Sequence, residues 1–386
     1  MRLLSQVNYV NLIMLRIVQR RFIFCLRLEA QQKGMVVYMK VAIVSMQEVI
    51  NYGSFLQAYA LKQLLGENND ISYISAYSNT AKVKNKSILN TISKIRIKDL
   101  KYNFARQKLK HKIIPMQQRY FKYGDGPYDL TIIGSDEVFN FVQAASWNPS
   151  IFWGEGIETN KICSFAASSG NTTNKEQLDS TMIPLLIEGL NKFSEISIRD
   201  TGTAELLDSL GIFDYQYLLD PVLLYDFKNE IKTHTYKKES KYIVIYSYNY
   251  RFSNENEIKK IKQYAKSNHC KIYAVEGLQK WTDRYLAVNP FELFELFRNA
   301  EAVFTDTFHG TIIAAKMHCK FAVFIRESNQ NKLWDLVNRV HLEKHLYDVK
   351  KHSLEEILTI DDFVDFENEI SKQRELAKNY LRTITR

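Results

Sequence analysis

At 386 residues, 46% hydrophobic and 25% charged, the chain is too long for one comfortable core and too apolar to be disordered or fibrous. Its formal net charge of +9 is concentrated in two places: residues 1–38 set six Lys/Arg against Glu29, and residues 82–122 set thirteen against Asp99. The basicity therefore does not point to nucleic acid. Four widely spaced cysteines, Cys25, Cys163, Cys270 and Cys319, exclude a disulfide framework and fit a reducing compartment.

In residues 1–38, Arg16, Arg20, Arg21 and Arg27 interrupt every apolar run that could cross a bilayer, and no signal-peptide core is present. The segment reads as a basic extension. It is either an interfacial helix or the product of an upstream start, with Met35 or Met39 as the true beginning. From Lys40, apolar β-rich runs alternate with helical patterns. Strands are expected at 40–45, 71–75, 129–134, 161–166, 195–199 and 215–219, and helices at 53–66, 175–192 and 201–210, with Gly211 as a C-cap. Residues 82–122 are a Lys-rich helical insert whose cationic face is either solvated or a dock for anionic lipid or polymer. Asp220-Pro221 halts the pattern, and 226–240 reads as a linker.

A second alternation follows. Its strands are expected at 242–247, 271–275, 302–305 and 321–325, its helices near 255–267, 290–299, 310–317 and 331–339, and a tail helix over 363–386. The expected architecture is α/β: one Rossmann-like domain over 39–225 and another over 241–362, facing a cleft.

Polar turns at strand ends are where such sheets hold ligands. In "AVFTDTFHGTIIA", His309 stands at the start of an apolar helix, where free N–H groups and the helix dipole favour an anion and an imidazole can move a proton near neutral pH. In "EISIRDTGTAELLDSLG", the fork of Arg199 suits a phosphate or carboxylate, or else pairs with Asp200 or another acid. In "DLTIIGSDEVFNF", Asp136 and Glu137 are an acid or base, ligands for sugar hydroxyls, or a helix cap. No nucleotide P-loop, dinucleotide fingerprint, zinc-protease motif or Cys/His cluster of metal spacing occurs, so neither a metal nor a nucleic acid is expected as a partner.

Six stretches, "NYGSFLQAYAL", "DLTIIGSDEVFN", "SFAASSG", "ISIRDTGTAELLDSLG", "LLDPVLL" and "AVFTDTFHGTIIA", follow one another in the order and spacing of the polysaccharide pyruvyl transferase family, which the chain resembles over about residues 39 to 340. The resemblance implies a glycosyltransferase-B-like pair of Rossmann-like domains. It also implies transfer from phosphoenolpyruvate, a co-substrate and not a cofactor, to two hydroxyls of a sugar, giving a pyruvate ketal in exopolysaccharide, capsule or wall-polymer synthesis. It casts Arg199, Thr307, Phe308, Gly310 and Thr311 as donor-binding, and His309 with Asp136 and Glu137 as catalytic. Asn51, Tyr52, Gly53 and Asn140 would meet the acceptor, a nucleotide- or lipid-linked saccharide, with Gly53 letting backbone approach it. The location implied is cytoplasmic, with peripheral contact at the inner, anionic membrane face as a variant. The family pattern has an arginine two residues before the histidine; Thr307 stands there, and Lys316 or Arg326 could replace that charge. Two other readings are a glycosyltransferase with a nucleotide-sugar donor and a non-catalytic sugar-binding relative.

Overall fold

The structure is a computed structural model that describes residues 38–76, 97–142, 149–234, 236, 240–348 and 350–386. The expected extension over 1–38 lies outside them except for Tyr38, and the basic insert is described only from Ile97 onward.

Six strands, β1 (Met39–Val44), β2 (Asn69–Tyr73), β3 (Leu130–Asp136), β4 (Ile162–Ala167), β5 (Ser197–Ile198) and β6 (Gln216–Tyr217), form a parallel sheet in the order β2-β1-β3-β4-β5-β6. Five more, β7 (Tyr242–Ser247), β8 (Lys271–Glu276), β9 (Arg284–Tyr285), β10 (Val303–Thr305) and β11 (Phe321–Val323), form a second parallel sheet in the order β11-β10-β7-β8-β9. Every residue of β4 and β7 is buried, as expected of parallel strands covered on both faces by helices. Each sheet reverses its winding once, between β1 and β3 in the first and between β7 and β10 in the second. Crevices open beyond the C-terminal ends of strands at such reversals.

The helices, in chain order, are α1 (Tyr52–Leu65), α2 (Ile97–Tyr120), α3 (Ile183–Leu190), α4 (Thr201–Ser209), α5 (Pro221–Leu224), α6 (Lys228–Thr233), α7 (Glu255–Ser267), α8 (Glu292–Arg298), α9 (Phe308–Lys316), α10 (Gln330–Arg339), α11 (Leu354–Leu358) and α12 (Val364–Ile384). Helix α1 is buried without interruption from Tyr52 to Leu61, because it lies between the two halves and has no solvent face. Its Phe55 and Tyr59 rings meet Phe291, which leads into α8, edge to face at 5.7 and 4.9 Å between ring centres. One apolar core accordingly runs from β1 through α1, α5, α8 and α9 to β7 and β10.

Several elements differ from expectation. The helix expected over 175–192 is broken: a short 3-10 turn covers Lys175–Gln177, and α3 starts afresh with Pro184 in its first turn. Asp220-Pro221, expected to halt the pattern, opens α5, with Pro221 as its first residue and the Asp220 carboxylate accepting the Val222 N–H at 2.9 Å. Helix α6 occupies part of the stretch read as a linker. Helix α12 returns to the first sheet, where Tyr380 Oη donates to the Ser164 carbonyl at 2.6 Å. Among the described residues no helix is long and apolar enough to cross a membrane.

Candidate active site

The residues that follow the strands of both sheets meet in one place. Arg199 comes directly after β5 and is 3% exposed; its Nη1 donates to Asp220 Oδ2 at 2.9 Å and its Cζ lies 4.2 Å from the Phe308 ring centre. Burial works against its charge, but Asp220, Asp136, Asp200 and Glu137 outweigh that and hold the guanidinium above the ordinary arginine range. From the second sheet His309 approaches the same carboxylate, Nε2 to Asp220 Oδ2, at 3.6 Å. That is an ion-pair distance and too long for a hydrogen bond, so His309 Nε2 and Arg199 Nε are both buried without a hydrogen-bond partner. Burial pushes the Asp220 carboxyl up, yet His309, Arg199 and the Val222 N–H together hold it at about 2. The sequence puts Arg199 and His309 on one external anion. In the structure the anion on which they converge is the chain's own Asp220.

Asp136 ends β3 in the left-handed region, φ 75°, which turns its carboxylate toward this pair. Its Oδ2 accepts from Ser54 Oγ at 3.1 Å, and its Oδ1 stands 3.9 Å from Arg199 Nη1. Glu137 is committed elsewhere: it pairs with Lys332 of α10 and accepts from Asn140 Nδ2 at 3.0 Å. Burial raises its pKa, but Lys332, Asn140 and Arg199 more than offset this, leaving Glu137 a carboxylate. Of the two acids named as acid or base, only Asp136 faces the Arg199–Asp220–His309 cluster. Asn140, expected at the acceptor, instead braces Glu137 and accepts from Thr172 Oγ1 at 3.4 Å.

The turn before α1 also differs from its expected role. Asn51 caps the helix, accepting the Ser54 N–H at 2.6 Å. Tyr52 is fully buried and meets the Val288 carbonyl and N–H with its hydroxyl at 3.1 and 2.9 Å. A Cβ built on Gly53 would stand 2.2 Å from His309 Nδ1; the glycine makes room for the imidazole of the other half, not for a sugar. The Tyr52 N–H donates across the halves to Oε2 of Glu276, the last residue of β8, at 3.0 Å, and Tyr246 Oη donates to the same oxygen at 3.3 Å. Burial dominates there and raises the Glu276 pKa to about 7, with those two donors and His309 pulling only weakly the other way.

Of the residues cast as donor ligands around His309, Thr307 caps α9 by accepting the Gly310 N–H at 3.0 Å, and Thr311 Oγ1 donates to the Thr307 carbonyl at 2.9 Å. Gly310 fits closely, since a Cβ there would lie 2.2 Å from Thr305 Oγ1, and Phe308 stacks on Arg199. Neither cation offered in place of the missing arginine is available to this cluster. Lys316 sits at the opposite end of α9, its Nζ donating to the Leu223 and Tyr225 carbonyls at 3.1 and 2.8 Å. Arg326 is forked onto Glu257 at 2.9 and 2.7 Å, with Asp306 at 3.3 Å. The cation that does cross from the second half is Lys332, which no local pattern marks.

The family described as polysaccharide pyruvyl transferase matches residues 51–328. No curated protein matches the chain. Similar solved structures include the spinosyn forosaminyltransferase SpnP (10% identity, 91% of this chain and 100% of that one, TM-score 0.41). The UDP-GlcNAc 2-epimerase of Methanocaldococcus jannaschii, in complex with UDP-GlcNAc and UDP, is similar at 11% identity (88% and 99%, TM-score 0.42). S. aureus MnaA with UDP is similar at 12% identity (90% and 98%, TM-score 0.44). The family match covers most of the chain, which therefore belongs to the polysaccharide pyruvyl transferase family, a family of transferases.

Proposed function

We propose that the protein transfers the pyruvyl group of phosphoenolpyruvate to two hydroxyls of one saccharide, releasing phosphate, in the assembly of a capsule, exopolysaccharide or wall polymer. The single observation that carries this reading is the buried imidazole Nε2 that faces Asp220 yet makes no hydrogen bond. Nε2, 3.6 Å from Asp220 and free of a hydrogen bond, is the atom that passes a proton to a bound group. Delivered to the methylene carbon of phosphoenolpyruvate, it leaves the central carbon cationic. One sugar hydroxyl adds there and loses its proton, the phosphate leaves with the C–O bond electrons, and the second hydroxyl adds and loses its proton. One of the two released protons goes to phosphate and the other restores His309. Asp136, beside the cluster, is the acceptor of a hydroxyl proton. The Phe308 and His309 N–H groups precede the capped Gly310 at the start of α9 and suit the donor's anionic end. The saccharide is carrier-linked, and the basic face of α2 supports contact with anionic lipid on the cytoplasmic side.

Phosphate release that requires both phosphoenolpyruvate and a glycan tests the reaction. A melting temperature raised by phosphoenolpyruvate and unmoved by UDP-sugars separates it from nucleotide-sugar transfer. His309→Ala is expected to lower turnover by at least a hundredfold with the fold intact; a near-normal rate in this variant removes His309 from the chemistry.

A further inference from the structure

A second cavity, of about 450 Å³, lies between the start of α2 and the loop that carries the chain from β8 to β9. Its lining includes three cations, Lys101, Lys280 and Arg284, against one carboxylate, Asp283. That carboxylate is already engaged, accepting the Ile272 N–H at 2.8 Å. Tyr250 and Tyr285 supply aromatic walls, and Lys280 Nζ lies 5.2 Å from the Tyr250 ring centre. Gln279 adds an independent sign of a ligand. It is 2% exposed, its Nε2 donates to the Tyr248 carbonyl at 2.7 Å, and its Oε1 has no hydrogen-bond partner. A buried amide oxygen without a donor is unfavourable, so it suits a hydroxyl or ring N–H brought by a guest.

Hydrogen bonds link the wall of this cavity to the turn beside His309. Tyr285 Oη donates to the Glu276 backbone carbonyl at 3.2 Å, and the Glu276 side chain holds the turn on which His309 rests. Tyr248, whose carbonyl Gln279 holds, is 47% exposed. Cations for a polyanion, aromatic faces for a flat or apolar group and one unfilled acceptor describe an organic diphosphate.

We propose that this cavity binds the diphosphate linker of the carrier-bound saccharide, with the sugar directed toward His309. The inference rests on the reading of the protein as acting on a carrier-linked saccharide, and it does not depend on which donor is used. The carrier is either a nucleoside or a prenyl chain, and both share the diphosphate.

Calorimetric titration of the full-length protein with UDP and, separately, with farnesyl diphosphate tests it. The pair Lys101→Glu and Lys280→Glu, both exposed positions, is expected to weaken binding at least tenfold and to leave phosphoenolpyruvate affinity unchanged. A matched pair on exposed positions of α7, Lys259→Glu and Lys262→Glu, is expected to have no such effect. Loss confined to UDP identifies a nucleotide carrier, and loss confined to farnesyl diphosphate a prenyl carrier; either supports the site. Failure of both probes to bind, equal loss in the α7 pair, no loss in the cavity pair, or displacement by phosphoenolpyruvate overturns it. Absent phosphoenolpyruvate binding with intact cavity-dependent diphosphate binding sinks the proposed donor and leaves the site standing.

Discussion

Glu276 is a buried carboxyl whose ionisation opposes folding. Its folded pKa of about 7 lies above the ordinary carboxylate value, so its stabilising contribution is complete below the unfolded pKa and is lost as pH rises through 7. The shift corresponds to about 3 kcal/mol at alkaline pH. Glu276→Gln keeps an oxygen for the Tyr52 N–H and cannot ionise. It should match the wild type at pH 4 and exceed it at pH 8 by roughly 3 kcal/mol in urea unfolding. A variant weaker than wild type at pH 8 would mean the ionised form is the one the fold wants. Gly53 carries a second prediction. The side chain of Gly53→Ala would overlap the His309 ring, forcing a shift that costs about 1–3 kcal/mol and moves the imidazole off Asp220. Turnover is expected to fall at least tenfold with the melting transition still cooperative; wild-type kinetics would show that the ring tolerates the intrusion. Sequence made His309, Arg199 and Asp136 legible because each lies at or shortly after a strand's C-terminal end, in or beside a polar turn, and that pattern is local. Glu276, 224 residues from Tyr52, was illegible, since its meaning comes from that distant N–H.

At the scale of elements, what the sequence conceals is where a helix docks. The apolar stripe of α12 forecasts a helix and says nothing of its partner, which is the first sheet. The Tyr380 ring lies 6.1 Å from Phe165 and its hydroxyl holds the Ser164 carbonyl, while Lys161 Nζ reaches the Thr383 and Ile384 carbonyls at 3.3 and 3.1 Å. Tyr380→Phe removes a hydrogen bond and should cost about 1 kcal/mol, whereas Tyr380→Ala opens a cavity and should cost about 3–5 kcal/mol. Chemical denaturation of both variants checks the ordering; equal and small losses would show that α12 is only loosely seated. The Asp220-Pro221 pair illustrates the reverse error. Proline after a strand reads as a stop, yet it is equally the preferred first residue of a helix, and only the folded chain shows that α5 starts there and aims Asp220 at the two basic side chains.

Across the whole molecule, one apolar core joins the sheets through α1, while charge is distributed unevenly over the surface. Between Ile97 and Lys122 eight Lys/Arg stand against Asp99. Helix α2 turns Ala105, Leu109, Ile113 and Met116 inward, leaving Lys101, Arg106, Lys108 and Lys112 outward together with Leu100 and Phe104, which are 55% and 63% exposed. Two exposed apolar side chains one turn apart, ringed by cations, fit a surface of anionic headgroups, where each lysine or arginine contributes about 1 kcal/mol within a Debye length. The cavity that borders the start of α2 lies beside this face. The protein should co-sediment with vesicles of phosphatidylglycerol and phosphatidylethanolamine and not with phosphatidylcholine alone. Raising salt from 0.05 to 0.5 M should release it, and Lys108→Glu with Lys112→Glu should weaken binding by about thirtyfold or more, since reversing two charges removes roughly 2 kcal/mol or more. Binding that ignores both salt and these reversals would assign the basic face of α2 to solvent.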